Sequence, residues 1–464
     1  MYNAYITRLK NLQKHPNADR LLIGECFGNS IIVSLDYTEN QLGVYFPSDG
    51  RLSMEFAEAN NLLRKKDDAG NQIGGYMAPE KRNVTAIRLR GEKSDGLFLP
   101  LESLSSFGDI SELKEGDVIS TFNGHLICEK YIPKRSNSNN TSAGNRTHKK
   151  KVAVSPLFSE HADTEQLAYN LNAFKPGDQI EITLKMHGTS QRTGYLPVLK
   201  KYKRTILDKL CRREGTPVYD WGYVSGTRRT VLEDYDGGYY GSNEFREQHS
   251  KLFEGKLNKG ETVYYEVTSF TDNGVPIMGQ CKVPKEAQEQ YGTTMTFHYG
   301  CEPTGKKIVY GRDENGDLFG LETEVPQSDM YVYRMTMTNE DGFVVEYTPD
   351  FMRYRCEQMG VKCVPVLWKG YIPEDEELAF DIGTEKEQVT TAGEYIKYIA
   401  EQFYDGPDPI GKTHVREGVV IRIINRPKFT AYKHKNFLFK QITGIIKNNE
   451  NTNLNLSEDI LSEL

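Results

Sequence analysis

A polar, positively charged segment limits how this chain can fold. Residues 134–151 are rich in Ser, Asn, Thr and Gly, and they contain six Lys or Arg and no acidic residue. This composition is typical of a flexible linker, because it offers little apolar surface to a folded core. A chain of 464 residues is also too long for one compact core, so we expect two or three domains. We predict a first domain at 1–132, a linker at 133–152, a second domain at 153–446 and a C-terminal tail at 447–464.

The first domain contains short runs of β-forming residues that are separated by Gly and Asp turns. Leu21–Cys26 and Val84–Leu89 are two of these runs. Strands at this spacing are typical of a small β-barrel. Barrels of this kind often bind nucleic-acid strands, so Arg88 and Arg90 are candidate phosphate contacts. The alternative is a hairpin with exposed arginines.

The second domain mixes strand patterns with a few helical ones, which predicts an α+β fold. Helical patterns occur near Glu244–Leu252 and Gly393–Tyr404. The stretch Lys200–Arg213 has seven positive charges and one acid, and we expect a solvated helix there. A phosphate-facing role for that stretch is the alternative.

Charge and cysteine usage narrow the class of protein. The net charge of -7 argues against a general nucleic-acid coat. Within Gly411–Lys440, however, eight Lys or Arg accompany one acid, Glu417, which indicates a local anion site. Seven scattered cysteines without a C-x-x-C pair indicate a reduced, cytoplasmic protein with neither disulfides nor a zinc site. We find no signal peptide, no membrane span and no sign of an obligate protein partner.

Lys185 is a candidate nucleophile. It begins the string Lys185–Ser190, directly after the alternating apolar stretch Ile180–Leu184. A strand that ends in a lysine and a Gly-containing turn can present an amine to a nucleotide. Lysine has a reference pKa of about 10.4, so it attacks phosphorus only where its surroundings lower that pKa. A four-residue string of this kind is common by chance, and most lysines at strand ends are solvated surface charges.

A second string, later in the chain than Lys185, matches a known phosphate-binding motif letter by letter. Gly406–Thr413 matches G-x-x-x-x-G-K-T, the P-loop pattern. A P-loop follows a strand and opens a helix, and successive backbone N–H groups form its cradle. Here a helical pattern precedes the string and the strand Glu417–Ile424 follows it, while Pro407 and Pro409 remove two donors. We therefore do not expect this string to bind a nucleotide.

Later strands carry the charged residues that a lysine nucleophile at position 185 needs around it. Glu266 and Glu417 both lie in strongly β-forming runs. A buried strand carboxylate is unfavourable alone, so each is expected to have a metal ligand or an ion pair. Lys433 and Lys435 would share one face of a strand.

Two further positions suit a nucleotide or a nucleic-acid end. The polar turn Ser225–Thr230 contains Arg228 and Arg229, either of which can grip a phosphate or a ribose. Tyr333 offers an aromatic face to a base, although core packing is the commoner role of such tyrosines.

In chain order, these residues resemble the motifs of the covalent nucleotidyltransferases, which are the RNA and DNA ligases and the capping enzymes. Motif I of that superfamily is K-x-D/H/N-G, and Lys185–Gly188 resembles its variant with His187 in the third place. With Thr189 following, this variant is similar to phage-type RNA ligases. Further along the chain, Ser225–Arg228 resembles motif Ia, Glu266 motif III, Tyr333 the aromatic residue of motif IIIa, Glu417-Gly418 motif IV, and Lys433-x-Lys435 motif V.

The resemblance implies an ATP-dependent RNA ligase that joins 3′-OH and 5′-phosphate ends, as in nick sealing and RNA repair. It implies antiparallel sheets flanked by helices, with Lys185, Gly188, Thr189, Glu266, Tyr333, Lys433 and Lys435 around the nucleotide. Lys185 would form a lysyl-AMP intermediate, and the two later lysines would stabilise phosphate charge and lower the pKa of Lys185. Glu417 and Glu266 would hold Mg²⁺ or Mn²⁺, although Glu266 can instead contact the ribose. Arg228 would bind the phosphate or ribose of the acceptor end.

The N-terminal part resembles the OB module of RNA ligase family 5, the Deinococcus-type nick-sealing ligases. The strings that carry this resemblance are His15–Leu21, Ile87–Leu97 and His161–Gln166. DNA ligases and capping enzymes normally carry an OB domain after motif V, whereas only about thirty residues follow Lys435 here. A DNA ligase and a non-catalytic RNA-binding protein with a relic ligase domain remain alternatives. The expected substrate is RNA, or a duplex that contains RNA and a nick.

Three features depart from the family pattern. His187 replaces the Asp that in some members helps to hold a metal-bound water. The segments Lys200–Arg213 and Met278–Gly320 resemble insertions without an assigned role.

Overall fold

The computed structural model describes residues 2–48, 50–66, 72–131, 154–161, 164–211, 213, 215–228, 231–232, 243–381, 383, 389–443 and 446–447. Most of the predicted linker and C-terminal tail, together with Arg229, lies outside the described residues. The chain forms two compact units, one comprising 1–144 and 440–464 and the other comprising 145–439. The domain boundaries drawn from the sequence stay a prediction.

The first unit consists mainly of short strands. Its elements in chain order are β1 (Ala4–Arg8), β2 (Lys10–Lys14), β3 (Leu21–Cys26), β4 (Asn29–Ser34), β5 (Leu42–Phe46), β6 (Gly50–Leu52), α1 (Met54–Ala59), β7 (Arg64–Lys66), β8 (Gln72–Gly74), β9 (Asn83–Val84), β10 (Ala86–Leu89), β11 (Glu92–Ser94), β12 (Leu97–Pro100), a 3-10 helix (Leu101–Phe107), β13 (Val118–Ile119), β14 (Thr121–Phe122), β15 (His125–Leu126) and β16 (Cys128–Lys130).

These strands form small sheets around a main apolar core and a smaller apolar cluster. The largest sheet has the order β12-β5-β1-β13, and three-stranded sheets have the orders β2-β3-β4 and β16-β6-β9. Strand β10 pairs with β11 and, in parallel, with the segment Ile446–Lys447. The core includes Ile6, Val44 and Phe46, which are fully buried. Among the described residues none of these sheets closes on itself, so the OB-type barrel stays a prediction.

The second unit carries longer strands and most of the helices. Its elements in chain order are β17 (Glu165–Gln166), 3-10 helices (Leu167–Tyr169 and Leu171–Ala173), β18 (Gln179–Leu184), β19 (Thr189–Lys203), α2 (Ile206–Leu210), β20 (Thr216–Thr227), α3 (Glu244–Lys251), β21 (Glu261–Ser269), β22 (Cys281–Lys282), a 3-10 helix (Lys285–Ala287), α4 (Gln288–Tyr291), β23 (Thr294–Met295), β24 (Lys306–Arg312), β25 (Leu318–Glu324), β26 (Ser328–Thr338), β27 (Val344–Glu346), α5 (Pro349–Met359), β28 (Val366–Tyr371), α6 (Leu378–Asp381), α7 (Ala392–Glu401), β29 (Gly418–Ile423) and β30 (Thr430–Lys435). Helix α8 (Phe437–Ile442) begins in this unit, and its last three residues belong to the first unit.

Two five-stranded, mainly antiparallel sheets organise this unit. The first has the order β17-β30-β29-β18-β28 and the second has the order β20-β19-β21-β26-β27. Alternating apolar residues bury one face of the central strands, as in β18, where Ile180 and Ile182 lie in a core. The predicted α+β class with antiparallel sheets is confirmed.

Helices cover the apolar faces of the two sheets. Helix α7 begins at a capping box between Thr391 and Glu394, and it packs Tyr395 and Ile396 against the first sheet. Helix α5 packs Met352 and Cys356 into the core of the second sheet. Both α7 and α3 lie where the sequence predicts a helix.

No helix in the described part of the chain is long and apolar enough to cross a membrane.

Candidate active site

Lys185 lies where the chain passes from the first sheet of the second unit to the second sheet. Strand β18 ends at Leu184 and strand β19 begins at Thr189, so residues 185–188 form the connection. The backbone N–H of Lys185 donates to the carbonyl oxygen of Gly418 at 3.0 Å. This hydrogen bond fixes the start of the connection beside strand β29.

Glu417 is the carboxylate partner of Lys185. Its Oε1 atom lies 2.9 Å from Lys185 Nζ and 3.3 Å from Lys435 Nζ, while Oε2 lies 3.4 Å from His187 Nδ1. The Glu417 side chain is only 4% exposed, so its charge needs these partners. Burial alone would raise the pKa of Glu417, but Lys185, Lys435 and His187 outweigh burial and hold it well below its usual range.

Gly418 allows Glu417 to reach this position. Its φ is +136°, and a Cβ atom there would lie 2.1 Å from the carbonyl oxygen of His434. Only glycine fits a backbone that approaches strand β30 so closely. The pairing of Gly418 with Lys435 then brings Lys435 beside the carboxylate.

Glu266 enters the site from the second sheet. It lies in β21 opposite Ser190, and the backbone N–H of Gly188 donates to its carboxylate. A Cβ atom on Gly188 would lie 2.3 Å from the carbonyl oxygen of Val267, so the glycine permits this approach. Burial raises the pKa of Glu266 to about 7, with Lys185 opposing the shift and Glu417 adding to it.

A β-bulge places Tyr333 near the same point. Tyr264 pairs with Arg334 and Tyr265 pairs with Val332, which leaves Tyr333 as the extra residue of β26. The Tyr333 hydroxyl lies 2.9 Å from Ser190 Oγ. Burial, and after it the negative charge of Glu266, raises the pKa of Tyr333. Tyr333 therefore lies on the Glu266 side of the second sheet.

The remaining predicted residues of this unit lie around this centre. Thr189 Oγ1 accepts a hydrogen bond of 2.6 Å from the guanidinium of Arg246, which is buried in helix α3. Lys433 alternates with Lys435 along β30 and is half-buried. Arg228 is exposed just after the end of β20, and its charge lowers the pKa of Glu266.

Arg88 and Arg90 lie in the first unit. Arg88 donates to the carbonyl oxygen of Gly91 at 3.0 Å, and Arg90 donates to that of Asn17 at 3.1 Å. The amide of Asn17 in turn donates to the carbonyl oxygen of Arg90 at 2.8 Å. The strings His15–Leu21 and Ile87–Leu97 are therefore hydrogen-bonded to each other. Contact between Arg88 or Arg90 and phosphate stays a prediction.

Sequence reasoning missed several residues that support His187. Its ring lies edge-on to the rings of Phe297 and Phe439, at centroid distances of 4.6 and 4.7 Å. Its backbone N–H donates to the buried hydroxyl of Tyr299 at 2.8 Å. Phe297 and Tyr299 belong to the segment Met278–Gly320, to which the sequence assigned no role. Nothing in their local pattern points to a partner that is more than a hundred residues away.

The P-loop-like string is organised around a buried carboxylate. Asp408 accepts the backbone N–H groups of Ile410, Gly411 and Thr413 at 2.9, 2.7 and 3.0 Å. Helix α7 precedes this turn and β29 follows it. The donors that would hold a phosphate are therefore engaged within the turn.

The residues present fit a divalent metal that is bound mainly through water. Glu417 and Glu266 supply carboxylate oxygens, and the charge of Glu417 is close enough to raise the pKa of Glu266. Mg²⁺ is commonly held by one or two carboxylates together with water and substrate phosphates. No cluster of three or more acidic, histidine or cysteine ligands occurs in the described ranges. The donor set matches a water-mediated site and does not match an all-protein cage.

Solved structures of an RNA ligase from Naegleria gruberi have a similar fold. A lysine-to-alanine mutant with ATP and Mn is 14% identical, with a TM-score of 0.52 over 95% of this chain and 99% of that chain. A structure with PPi has a TM-score of 0.51 at 15% identity, over 94% and 97% of the two chains. An apo lysine-to-alanine mutant has a TM-score of 0.54 at 16% identity, over 95% and 98%. No family model matches the chain, and no curated protein matches it in sequence. The chain thus has the fold of an RNA ligase.

Proposed function

We propose that this protein is an ATP-dependent RNA ligase. The observation that carries the proposal is the ion-paired group of Lys185, buried Glu417 and Lys435, which lies beside the connection between the two sheets of an RNA ligase fold. The solved Naegleria gruberi RNA ligase structures with ATP, AMP and Mn support ATP and a divalent metal as its ligands. The resemblance of the strings His15–Leu21, Ile87–Leu97 and His161–Gln166 to RNA ligase family 5 belongs to the same proposal.

Three nucleotidyl transfers make up the proposed reaction. The deprotonated Nζ of Lys185 attacks the α-phosphorus of ATP, and the bond to the departing pyrophosphate breaks. AMP then passes from the lysine to a 5′-phosphate end of RNA, which frees the amine. Finally, a neighbouring 3′-OH loses its proton and attacks the phosphorus of the RNA 5′-phosphate, and the bond from that phosphorus to AMP breaks, which releases AMP.

The proposed role of each site residue follows from its charge and chemistry. Lys185 must leave its ion pair with Glu417 before it can attack, because a paired ammonium has no free electron pair. Lys433 and Lys435 would stabilise negative charge on the phosphates. Tyr333 would stack on adenine, Arg228 would grip a phosphate or ribose, and Glu266 would contact the ribose or the metal. A metal held by Glu417 and Glu266 would supply charge neutralisation at the phosphates.

Covalent labelling tests the proposal. Incubation of the protein with α-labelled ATP and Mg²⁺ should attach label to the wild type and to Lys285→Ala, an exposed lysine outside the site. Lys185→Ala should take up none. Absence of label on the wild type, or retention of label by Lys185→Ala, would contradict the proposal.

Substrate preference is tested separately. The rate of nick sealing should be measured on two otherwise identical duplexes, one with a ribose and the other with a deoxyribose at the 3′-OH end of the nick. An RNA ligase should prefer the ribose end. Equal rates on both nicks would favour a DNA ligase.

A further inference from the structure

Cys356 and Cys363 lie side by side at the end of helix α5. Cys356 packs into the core of the second sheet and is 1% exposed, whereas Cys363 is half-buried against the same core. Both cysteines are free thiols, and the thiol of Cys356 donates a hydrogen bond to the sulfur of Cys363. The fold therefore brings together two thiols that are only scattered cysteines in the sequence.

Backbone hydrogen bonds hold Cys356 in place. Helix α5 ends at Gly360, whose φ of +69° turns the chain back. The backbone N–H of Val361 then donates to the carbonyl oxygen of Cys356 at 3.0 Å. The chain that leads to Cys363 is thus bonded to the residue that it must meet.

Strand β26 holds Cys363 in place. The N–H of Val332 donates to the carbonyl oxygen of Lys362 at 2.8 Å, and the N–H of Val364 donates to the carbonyl oxygen of Val332 at 3.0 Å. These bonds lie on either side of Cys363, which forms a parallel bridge with Val332. A disulfide requires two close backbones whose side chains point at each other, and the hydrogen-bonded thiols meet this requirement.

The surroundings of Cys363 favour its reaction with an oxidant. The hydrogen bond from Cys356 lowers the pKa of the Cys363 thiol, and the charge of Arg353 adds to this effect, while burial and Glu181 oppose it. Burial raises the pKa of the Cys301 thiol. Reactive cysteines are partly exposed and have a lowered pKa, and a second cysteine beside them can complete a disulfide, whereas buried protonated thiols are inert. Cys363 therefore suits attack on an oxidant, with Cys356 as the second sulfur.

We propose that Cys356 and Cys363 form a reversible disulfide when the protein meets hydrogen peroxide. The Cys363 thiolate attacks one oxygen of the peroxide, so that an S–O bond forms, the O–O bond breaks and the other oxygen leaves as water with the proton released by Cys363. The sulfur of Cys356 then attacks the sulfur of Cys363. The S–S bond forms, the S–O bond breaks, and a second water leaves with the proton of Cys356. The two thiols lose two electrons and two protons, and the peroxide is reduced to two waters.

The disulfide would join the end of α5 to strand β26, beside Tyr333. Disulfides in a reducing compartment are usually transient and serve catalysis or redox sensing. The reduced compartment that the cysteine usage predicts thus agrees with a pair that is oxidised only on exposure to peroxide. This inference goes beyond the proposed ligase function and does not depend on it.

Peptide mapping tests the proposal. Trypsin cleaves after Arg355, Lys362 and Lys369, so the two cysteines fall in separate peptides, 356–362 and 363–369. The full chain should be reduced, freed of reductant, treated with hydrogen peroxide and blocked with iodoacetamide before digestion and non-reducing mass spectrometry. Most wild-type chains should yield the two peptides joined, with the loss of two hydrogens. Dithiothreitol should separate them by thiol–disulfide exchange.

Cysteine variants locate the bond. Cys363→Ser should yield no joined peptide, whereas Cys211→Ser, which removes an exposed thiol outside the pair, should yield as much as the wild type. Cys356→Ser should also yield none. Because Cys356 is buried, thermal unfolding should be followed for that variant, and Cys363→Ser decides if it does not fold. Tenfold dilution of the wild type should leave the yield unchanged, because the bond forms within one chain.

Recovery of the two peptides unjoined from the peroxide-treated wild type would overturn the proposal. So would a bond from Cys363 to any cysteine other than Cys356, or a yield that falls on dilution, since that would place the bond between chains. None of these measurements uses ATP or RNA. A chain that takes up no label from ATP can still form the disulfide, so failure of the ligase function and failure of this inference are distinguishable.

Discussion

The hydroxyl of Tyr299 accepts the backbone N–H of His187 at 2.8 Å, which ties the segment Met278–Gly320 to the connection that carries Lys185. The Tyr299 ring also lies edge-on to His414 at a centroid distance of 4.4 Å, and His414 is fully buried. A segment without an assigned role in the sequence therefore supports the backbone two residues from the proposed nucleophile.

Tyr299→Phe should lower both stability and the rate of AMP transfer. The change leaves the N–H of His187 without its acceptor, which costs about 1–3 kcal/mol for a buried group. It also loosens His187, whose Nδ1 atom lies 3.4 Å from Glu417. We expect single-turnover self-adenylylation to fall roughly tenfold. Tyr310→Phe, an exposed tyrosine of the same segment, is the control and should behave as the wild type. Unchanged rates in Tyr299→Phe would show that this hydrogen bond does not position the site.

Glu417→Gln should destabilise the protein strongly. The substitution removes the buried carboxylate that neutralises Lys185 and Lys435. Both lysines keep some contact with solvent, so the cost should lie near the lower end, about 3 kcal/mol, of the range for breaking a buried pair. The free energy of unfolding should be measured by urea denaturation. Glu322→Gln breaks an exposed ion pair with Lys306 of 2.7 Å, and it should cost less than about 1 kcal/mol. Similar losses in the two variants would mean that the Glu417 cluster is not buried as described.

The protonation of Glu266 should appear in the pH dependence of stability. Burial raises its pKa to about 7 from its ordinary value of 4.5, with Lys185 opposing and Glu417 adding to the shift. Between these two pH values the folded chain retains a proton that the unfolded chain has lost. The stabilising contribution of protonated Glu266 is therefore complete below the unfolded pKa and is lost as the pH rises through about 7.

Comparison with Glu266→Gln isolates this contribution, because glutamine is neutral at every pH. The two proteins should have similar free energies of unfolding at about pH 4. Toward pH 8 the variant should become the more stable, by roughly 3 kcal/mol at most. Urea denaturation across this range measures the difference, and curves that stay parallel would contradict a raised pKa.

Strand periodicity predicted much of the site. Lys185, Glu417 and Lys435 each lie at or beside the end of a strand, and neighbouring strands in one sheet bring these ends together. The sequence indicated the residue types and their order along the chain. It did not indicate the β-bulge at Tyr333, because a bulge depends on the partner strand and not on the local pattern.

Long-range partners were not predictable in the same way. Arg246 lies on a correctly predicted helix, yet its hydrogen bond to Thr189 depends on how α3 packs against β19. The helix predicted over Lys200–Arg213 is wrong for Lys200–Lys203, which continue β19, and the error has a similar origin. The basic pattern of this stretch is compatible with a helix, but pairing with Thr216–Val218 decides in favour of a strand.

Lys412 provides a final test of where the phosphates bind. In a true P-loop this lysine would contact the phosphates, and its loss would abolish nucleotide chemistry. Here Asp408 accepts three N–H groups of the turn, and Lys412 is exposed. Lys412→Ala should therefore take up label from ATP within about twofold of the wild type, whereas Lys185→Arg, which keeps the charge, should take up none. If Lys412→Ala lost label as completely as Lys185→Arg, the turn would have to bind phosphate after releasing its N–H groups from Asp408.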